Sequence, residues 1–193
     1  MTSLPPREAA WALLCEYTQS DSLRKHALGV EAVMRAYARH YDGDADRWGM
    51  VGLLHDFDYE RSPSMEDHPL KGSEILKELG YPDDIRYAIL CHAPYLGYER
   101  QSLMDKAILA VDELVGFITA VALVQPSKRV ADVKVSSVKK KLKDKAFARS
   151  VNREDIYLGV ADLGITLDDH IAFTLQAMTA GADQLGLSGN ALH

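Results

Sequence analysis

Four histidines and two aspartates, His26, His55, Asp56, His68, His92 and Asp112, are of the types that hold metal ions through ring nitrogens and carboxylate oxygens. Such donors suit borderline and hard divalent ions such as Fe, Mn, Co, Ni, Zn or Mg, and a set without thiolate that keeps open positions fits catalysis better than structure. An ion there lowers the pKa of a bound water toward neutrality and polarises a substrate oxygen. Singly, each residue has a plainer role. A lone histidine on an apolar face is more often a satisfied core residue than a ligand, His68 beside Pro69 can cap a helix, His92 can meet a helix C-terminus, and Asp112 can pair with a lysine. Their joint occurrence changes the reading, because four neutral imidazoles and two carboxylates are costly to bury in one small interior unless a cation satisfies them. A divalent metal is the economical expectation.

These side chains need a scaffold that turns them toward one point, and nearly the whole chain reads as helix. Pro5 and Pro6 precede the run REAAWALLCEY, where a first turn tolerates proline. Ser20 or Asp21 can cap a second helix, on which His26, Val30, Val33 and Tyr37 form one stripe at helical spacing. Further helices are expected over 44–55, over 68–79 with Gly80 and Pro82 as its stop, over 83–92, through the apolar run 107–124, over 152–163 with Asn152 as cap, and over 168–185. His26 then lies mid-helix on the apolar stripe, His55 and Asp56 end the third helix, His68 opens the fourth, His92 ends the fifth, and Asp112 lies inside the long apolar one. Only VADVKVSSV, 130–138, is ambiguous between strand and helix. No internal repeat or low-complexity linker interrupts the pattern. The expected fold is all-α: a single-domain helical bundle over 1–193, with a motif core at 23–124 and a basic C-terminal extension at 125–193.

In that order and with Gly72 following His68-Pro69, the residues resemble the HD-domain superfamily of metal-dependent phosphohydrolases, particularly its HDIG-type bacterial members. The resemblance implies that His26, His55, Asp56 and Asp112 hold one metal. Dinuclear members add two histidines and bridge the ions with the doublet's aspartate; His68 and His92 match those positions, so a two-metal centre bridged by Asp56 is the first expectation. With a single metal, His68 and His92 would contact phosphate or act as general acids. The implied catalytic set is His55, Asp56, His68 and His92. Two departures stand out. Phe57-Asp58 occupies the place of Ile-Gly, and Ala93 follows His92 where the cyclic-di-GMP phosphodiesterases of the HD-GYP type carry a second histidine. Gly80-Tyr81-Pro82 precedes His92 and reads as a helix stop, so cyclic di-GMP is not the expected substrate.

Composition narrows the partners. A formal net charge of −6 argues against wholesale binding to nucleic acid or acidic membranes. The apolar run 107–124 contains Asp112 and Glu113, each costing about 2.5–3.5 kcal/mol at a bilayer centre, so a buried helix is expected and no membrane span. Cys15 and Cys91 are too few for a disulfide framework, and the opening MTSLPPREAAWALLCEY lacks a basic segment followed by an apolar core. Reduced thiols and a cytoplasmic location are expected. Residues 128–149 hold nine Lys and Arg against two Asp, a local +7 in a chain whose remainder is −13. Such a ledge is either a solvated helix face or a guide for an anionic substrate, and Lys128 and Arg129 are the expected phosphate clamps. Phe147 is its only aromatic residue, so single-stranded nucleic acid is not an expected partner. Tyr81, Tyr95 and Tyr98 bracket His92 and can line a pocket that stacks a base. Trp11, Trp48 and Phe117 read as core or interface aromatics, whereas His40 and His170 read as exposed and His193 is the terminal residue. The leading expectation is hydrolysis of a phosphate ester of a nucleotide or other small phosphorylated metabolite; the alternatives are a mixed-valent di-iron oxygenase on the same scaffold and a non-catalytic metal-binding sensor module.

Overall fold

Ser20 accepts a hydrogen bond from the backbone N–H of Leu23, and Asp44 accepts from those of Asp46 and Arg47. Each satisfies donors that the first turn of a helix leaves unpaired, which sets where the second and third helices begin. A computed structural model describes residues 4–189 and holds ten α-helices among them. In chain order these are α1 Arg7–Tyr17, α2 Asp21–His40, α3 Ala45–Leu54, α4 Leu70–Glu78, α5 Asp83–Cys91, α6 Leu103–Leu123, α7 Val135–Leu142, α8 Arg153–Leu163, α9 Leu167–Ala180 and α10 Ala182–Leu185. The fold is all-α: the described residues contain no strand, only one isolated antiparallel bridge between Arg129 and Ser188. No helix among them is long and apolar enough to cross a membrane.

The stripe of α2 faces inward, with Val30, Val33 and Tyr37 each 2% exposed or less. Full burial of one such side chain is worth about 1.5–3 kcal/mol. α2 and α3 pack closely because Gly52 has no side chain: a Cβ there would stand 2.8 Å from the backbone nitrogen of Glu31. Glu31 itself is buried and held by Arg7 at 2.6 Å and Arg35 at 2.9 Å, which ties α1 to α2.

α6 runs through the centre and is apolar on most of its circumference, the reason its sequence alone resembles a membrane span. It starts four residues earlier than the apolar run, because Ser102 and Asp105 form a reciprocal capping box. Gly159 brings α8 against it, its missing Cβ lying 2.3 Å from the Cα of Ala110. The ambiguous segment 130–138 is a short 3-10 turn over Val130–Asp132 followed by α7; Val138 and Leu142, four residues apart, turn inward and the lysines face out. The expected last helix divides at Gly181 into α9 and α10.

His170 corrects an expectation. It is buried rather than exposed: Nε2–H donates to the carbonyl of Ala110 at 2.8 Å, and Nδ1 accepts the Tyr37 hydroxyl at 2.6 Å. Burial lowers its pKa to about 4, so it is neutral near pH 7. His40 is exposed at the end of α2, Trp48 and Phe117 are buried, and Trp11 is half-buried, while His193 lies outside the described residues. Both cysteines are free, and the buried Cys91 directs its thiol toward the carbonyl of Glu99.

Candidate metal centre

Two histidines of the centre sit where helices run out of donors. His55 follows α3 and donates Nδ1–H to the carbonyl of Gly52 at 2.8 Å; His92 follows α5 and donates Nδ1–H to the carbonyl of Ile89 at 2.5 Å. Each bonds a carbonyl of the last turn three residues back, that of Ile89 also accepting the backbone N–H of His92 at 3.2 Å, and each thereby points Nε2 into the interior. His68, in the turn before α4, is held differently: Nδ1–H donates to the buried carboxylate of Asp58 at 2.8 Å. His26 comes from the second turn of α2 and Asp112 from the middle of α6, their Nε2 and Oδ1 atoms 2.9 Å apart.

The six side chains form two groups that share one residue. Donor atoms of His26, His55, Asp56 and Asp112 all lie within 4.8 Å of one another, as do those of Asp56, His68 and His92. Asp56 divides its oxygens between them: Oδ2 stands 3.5 Å from His55 Nε2, and Oδ1 stands 3.1 Å and 3.3 Å from the Nε2 atoms of His68 and His92.

The donor set fits metal on electrostatic grounds. His68 Nε2 and His92 Nε2 face each other at 3.2 Å, with Asp56 Oδ1 beside both. Their other ring nitrogens are already committed as donors, so in neutral rings three lone pairs converge with no proton between them. His55 Nε2, fully buried, has no hydrogen-bond partner although Asp112 Oδ1 is only 3.3 Å away. Such crowding of acceptors is relieved by protons or by cations. Without an ion, protons fill the role. Burial lowers the pKa of His68, but Asp56 and Asp58 more than offset it and raise it to about 9; His55 is likewise raised, burial being outweighed by Asp56 and Asp112. Burial works against ionising Asp56 and Asp112, yet charge on His55 and hydrogen bonds from the surrounding rings hold both below the usual carboxylate range. Divalent ions would replace those protons.

The centre opens into a cavity of about 400 Å³ walled by Tyr59, Met65, Tyr95, Glu113, Gly116 and Asp155 and by every candidate ligand but the fully buried His55. Burial and the charge of Asp112 push the Glu113 carboxyl up to about 8. Among the described residues no lysine or arginine lines this cavity. A larger hollow of about 600 Å³ between Trp48, Tyr87 and Met104 contains none of the six candidate ligands.

The expected phosphate clamps are not there. Lys128 and Arg129 line no part of the metal cavity: α6 continues eleven residues beyond Asp112, about 16 Å at 1.5 Å per residue, before the chain turns to reach them. Arg129 borders a separate shallow cavity beside Ser188. Within the rest of the basic stretch, Lys139 pairs with Asp168 at 2.6 Å and Lys141 lies over the ring of Phe147. Of the three tyrosines, only Tyr95 borders the centre, donating its hydroxyl to the carbonyl of His68 at 2.7 Å. Tyr81 is buried in the core and Tyr98 packs edge-on to Tyr87.

Asp58 is the residue that motif spacing missed. Where Ile-Gly was the pattern, this chain places a carboxylate that fixes His68 with Oδ1 and accepts the Gly72 backbone N–H at 2.9 Å with Oδ2. An acid two positions after the doublet was the available signal. Residues 23–116 match the family model described as HD domain, a span that contains all six candidate ligands. No curated protein and no solved structure matches the chain.

Proposed function

From the premise that residues 23–116 form an HD domain, we propose that this protein is a metal-dependent phosphohydrolase with two ions held by His26, His55, Asp56, His68, His92 and Asp112. The observation that carries the reading is the division of Asp56, whose two oxygens face the two ligand groups. When bound, divalent ions supply Lewis acidity toward a phosphoryl oxygen and a water acidic enough to attack near neutral pH. The chain's own part is positional. Asp58 and the Ile89 carbonyl hold His68 and His92 with Nε2 inward, and the Gly52 carbonyl does the same for His55, while His26 Nε2 and Asp112 Oδ1 face each other at 2.9 Å as donor atoms of one group. Each of these partners fixes a ring before any substrate arrives, which keeps the geometry from relaxing during the reaction.

The substrate class follows from charge. With carboxylates and no basic side chain lining the described cavity, phosphate charge is met by the ions alone. That favours a small ester with one phosphoryl group over a nucleoside triphosphate, whose extra phosphates need cationic partners. A second reading, an oxygenase with a mixed-valent di-iron centre, is supported by the same thiolate-free nitrogen and oxygen donor set.

Metal analysis of the purified protein, followed by phosphate-release assays on monoesters, diesters and nucleotides with and without oxygen, separates these readings. Oxygen-independent phosphate release that disappears with bound metal in Asp56→Ala is the expected result. Full turnover by the metal-free variant, or turnover that requires oxygen, overturns the hydrolase assignment.

A further inference from the structure

A second cavity, about 260 Å³, lies where α2, α6 and α10 meet and shares two of its walls with the metal cavity, His26 and Gly116. Along α6 the residues Asp112, Gly116, Thr119 and Leu123 fall at i, i+4, i+7 and i+11, one face of the helix. This face leads from a candidate ligand, over the saddle at Gly116, into a chamber walled by Thr119, Leu123, Leu185 and Leu187.

Position 116 puts no side chain where the two cavities adjoin. A Cβ there would meet only the ring of His26, at 3.8 and 3.9 Å, which is ordinary contact. Gly29, deeper in the same chamber, is different: its Cβ would stand 2.8 Å from Val115, so packing against α6 explains that glycine. Among the described residues no comparable contact calls for glycine at 116.

Resting on the hydrolase reading of the metal centre, we infer that the substrate is a single-phosphate ester of an extended apolar alcohol, its phosphoryl group at the ions and its hydrocarbon part lying over Gly116 in the second cavity. The charges agree. Asp56, Asp112 and Asp155 line the first cavity and no lysine or arginine among the described residues does, so a second phosphate would find no cationic side chain there, and Lys25, the one lysine or arginine among the described residues bordering the second, is paired with Asp21 at 2.7 Å. At about 30 Å³ for each water-sized volume, the second cavity has room for a chain of roughly eight or nine heavy atoms.

The test uses the full-length, metal-loaded protein with n-octyl phosphate, methyl phosphate and adenosine monophosphate as probes. Binding is measured by calorimetry and phosphate release is followed separately. Octyl phosphate should bind at least tenfold more tightly than methyl phosphate. Thr119→Trp, which fills the chamber, should reduce that advantage below threefold with bound metal retained. Should Thr119→Trp fail to fold, Leu123→Asp, which puts a charge in the outer wall, is expected to have the same effect. Equal binding of octyl and methyl phosphate, an advantage that survives a folded chamber variant, or tighter binding of adenosine monophosphate than of octyl phosphate overturns the inference. Its fate is separable from that of the hydrolase reading: a chain-length advantage without phosphate release leaves the chamber standing and the hydrolase reading fallen, whereas release from both alkyl esters with equal binding does the reverse.

Discussion

Asp58 Oδ1 lies 2.8 Å from His68 Nδ1, while its Oδ2 accepts the backbone N–H of Gly72 at 2.9 Å. The carboxylate is buried, so both oxygens are committed to holding His68 with Nε2 toward Asp56. Asp58→Asn can keep one contact only by turning its amide N–H₂ toward a donor. Loss of such a partner lowers metal affinity by roughly 10–100-fold in other histidine sites. We expect that loss at the Asp56, His68 and His92 group, with a smaller effect at the other. Competition titration against a chelator reads it as one weakened ion per chain; two unaltered affinities would show that Asp58 has no part in positioning His68.

Gly72→Ala approaches the same carboxylate from the other side. The added Cβ would stand 2.7 Å from Asp58 Cγ and 2.9 Å from both oxygens, so the carboxylate must move. Overpacking of this kind costs about 1–3 kcal/mol. Denaturant unfolding should show that loss, and chelator titration should show the weakening expected for Asp58→Asn. Full stability with unchanged metal binding would mean that the turn between Asp58 and α4 yields freely.

Much of the helical order and its punctuation was legible in the sequence. Caps at Ser20, Asp44 and Asn152 have local causes, and so do the stops after Leu79 and Leu163. The ligand types were legible too, because histidines at helix ends and an acid inside an apolar helix conflict with burial unless something satisfies them. Two readings failed for a common physical reason. Lys128 and Arg129 follow Asp112 closely in sequence, but a helix carries the chain steadily away from its own middle. His170 sits in a polar first turn, and its partners Tyr37 and Ala110 belong to other helices, so no local signal announced its burial. Tertiary contact decides such positions, and periodicity reports only which face of a helix is apolar.

His170 gives the fold a definite acid dependence. Its folded pKa, about 4, lies below the unfolded value near 6.5, so between those values the unfolded chain binds the extra proton. Stability from this group is therefore fully present above pH 6.5 and lost as pH falls toward 4, a loss of about 3 kcal/mol from a shift of this size. Urea unfolding at pH 7, 5.5 and 4.5 should show the decline. His170→Gln should be less stable at pH 7 yet flatter over the same range, and parallel curves for the two proteins would assign the acid sensitivity elsewhere.

Removing metal should destabilise the protein and leave it folded. Most of the core, including the α2–α3 and α6–α8 contacts at Gly52 and Gly159, is built without the ligands. Around the centre, however, Asp56 Oδ1 and the Nε2 atoms of His68 and His92 crowd within 3.3 Å, and His55 Nε2 is buried without a hydrogen bond. Protons relieve part of this crowding in the absence of ions, since the carboxylates raise the pKa of His68 to about 9 against the effect of burial. An ion that binds only the folded state adds about 2.7 kcal/mol when present at a hundred times its dissociation constant. Chelation should therefore lower Tm by several degrees while leaving the far-UV dichroism of a helical protein at 25 °C, and re-addition of a divalent ion should restore the original Tm. Calorimetric scans before and after chelation test this directly. A Tm indifferent to chelation and re-addition would argue that the two groups bind no ion tightly and that protons alone satisfy the centre.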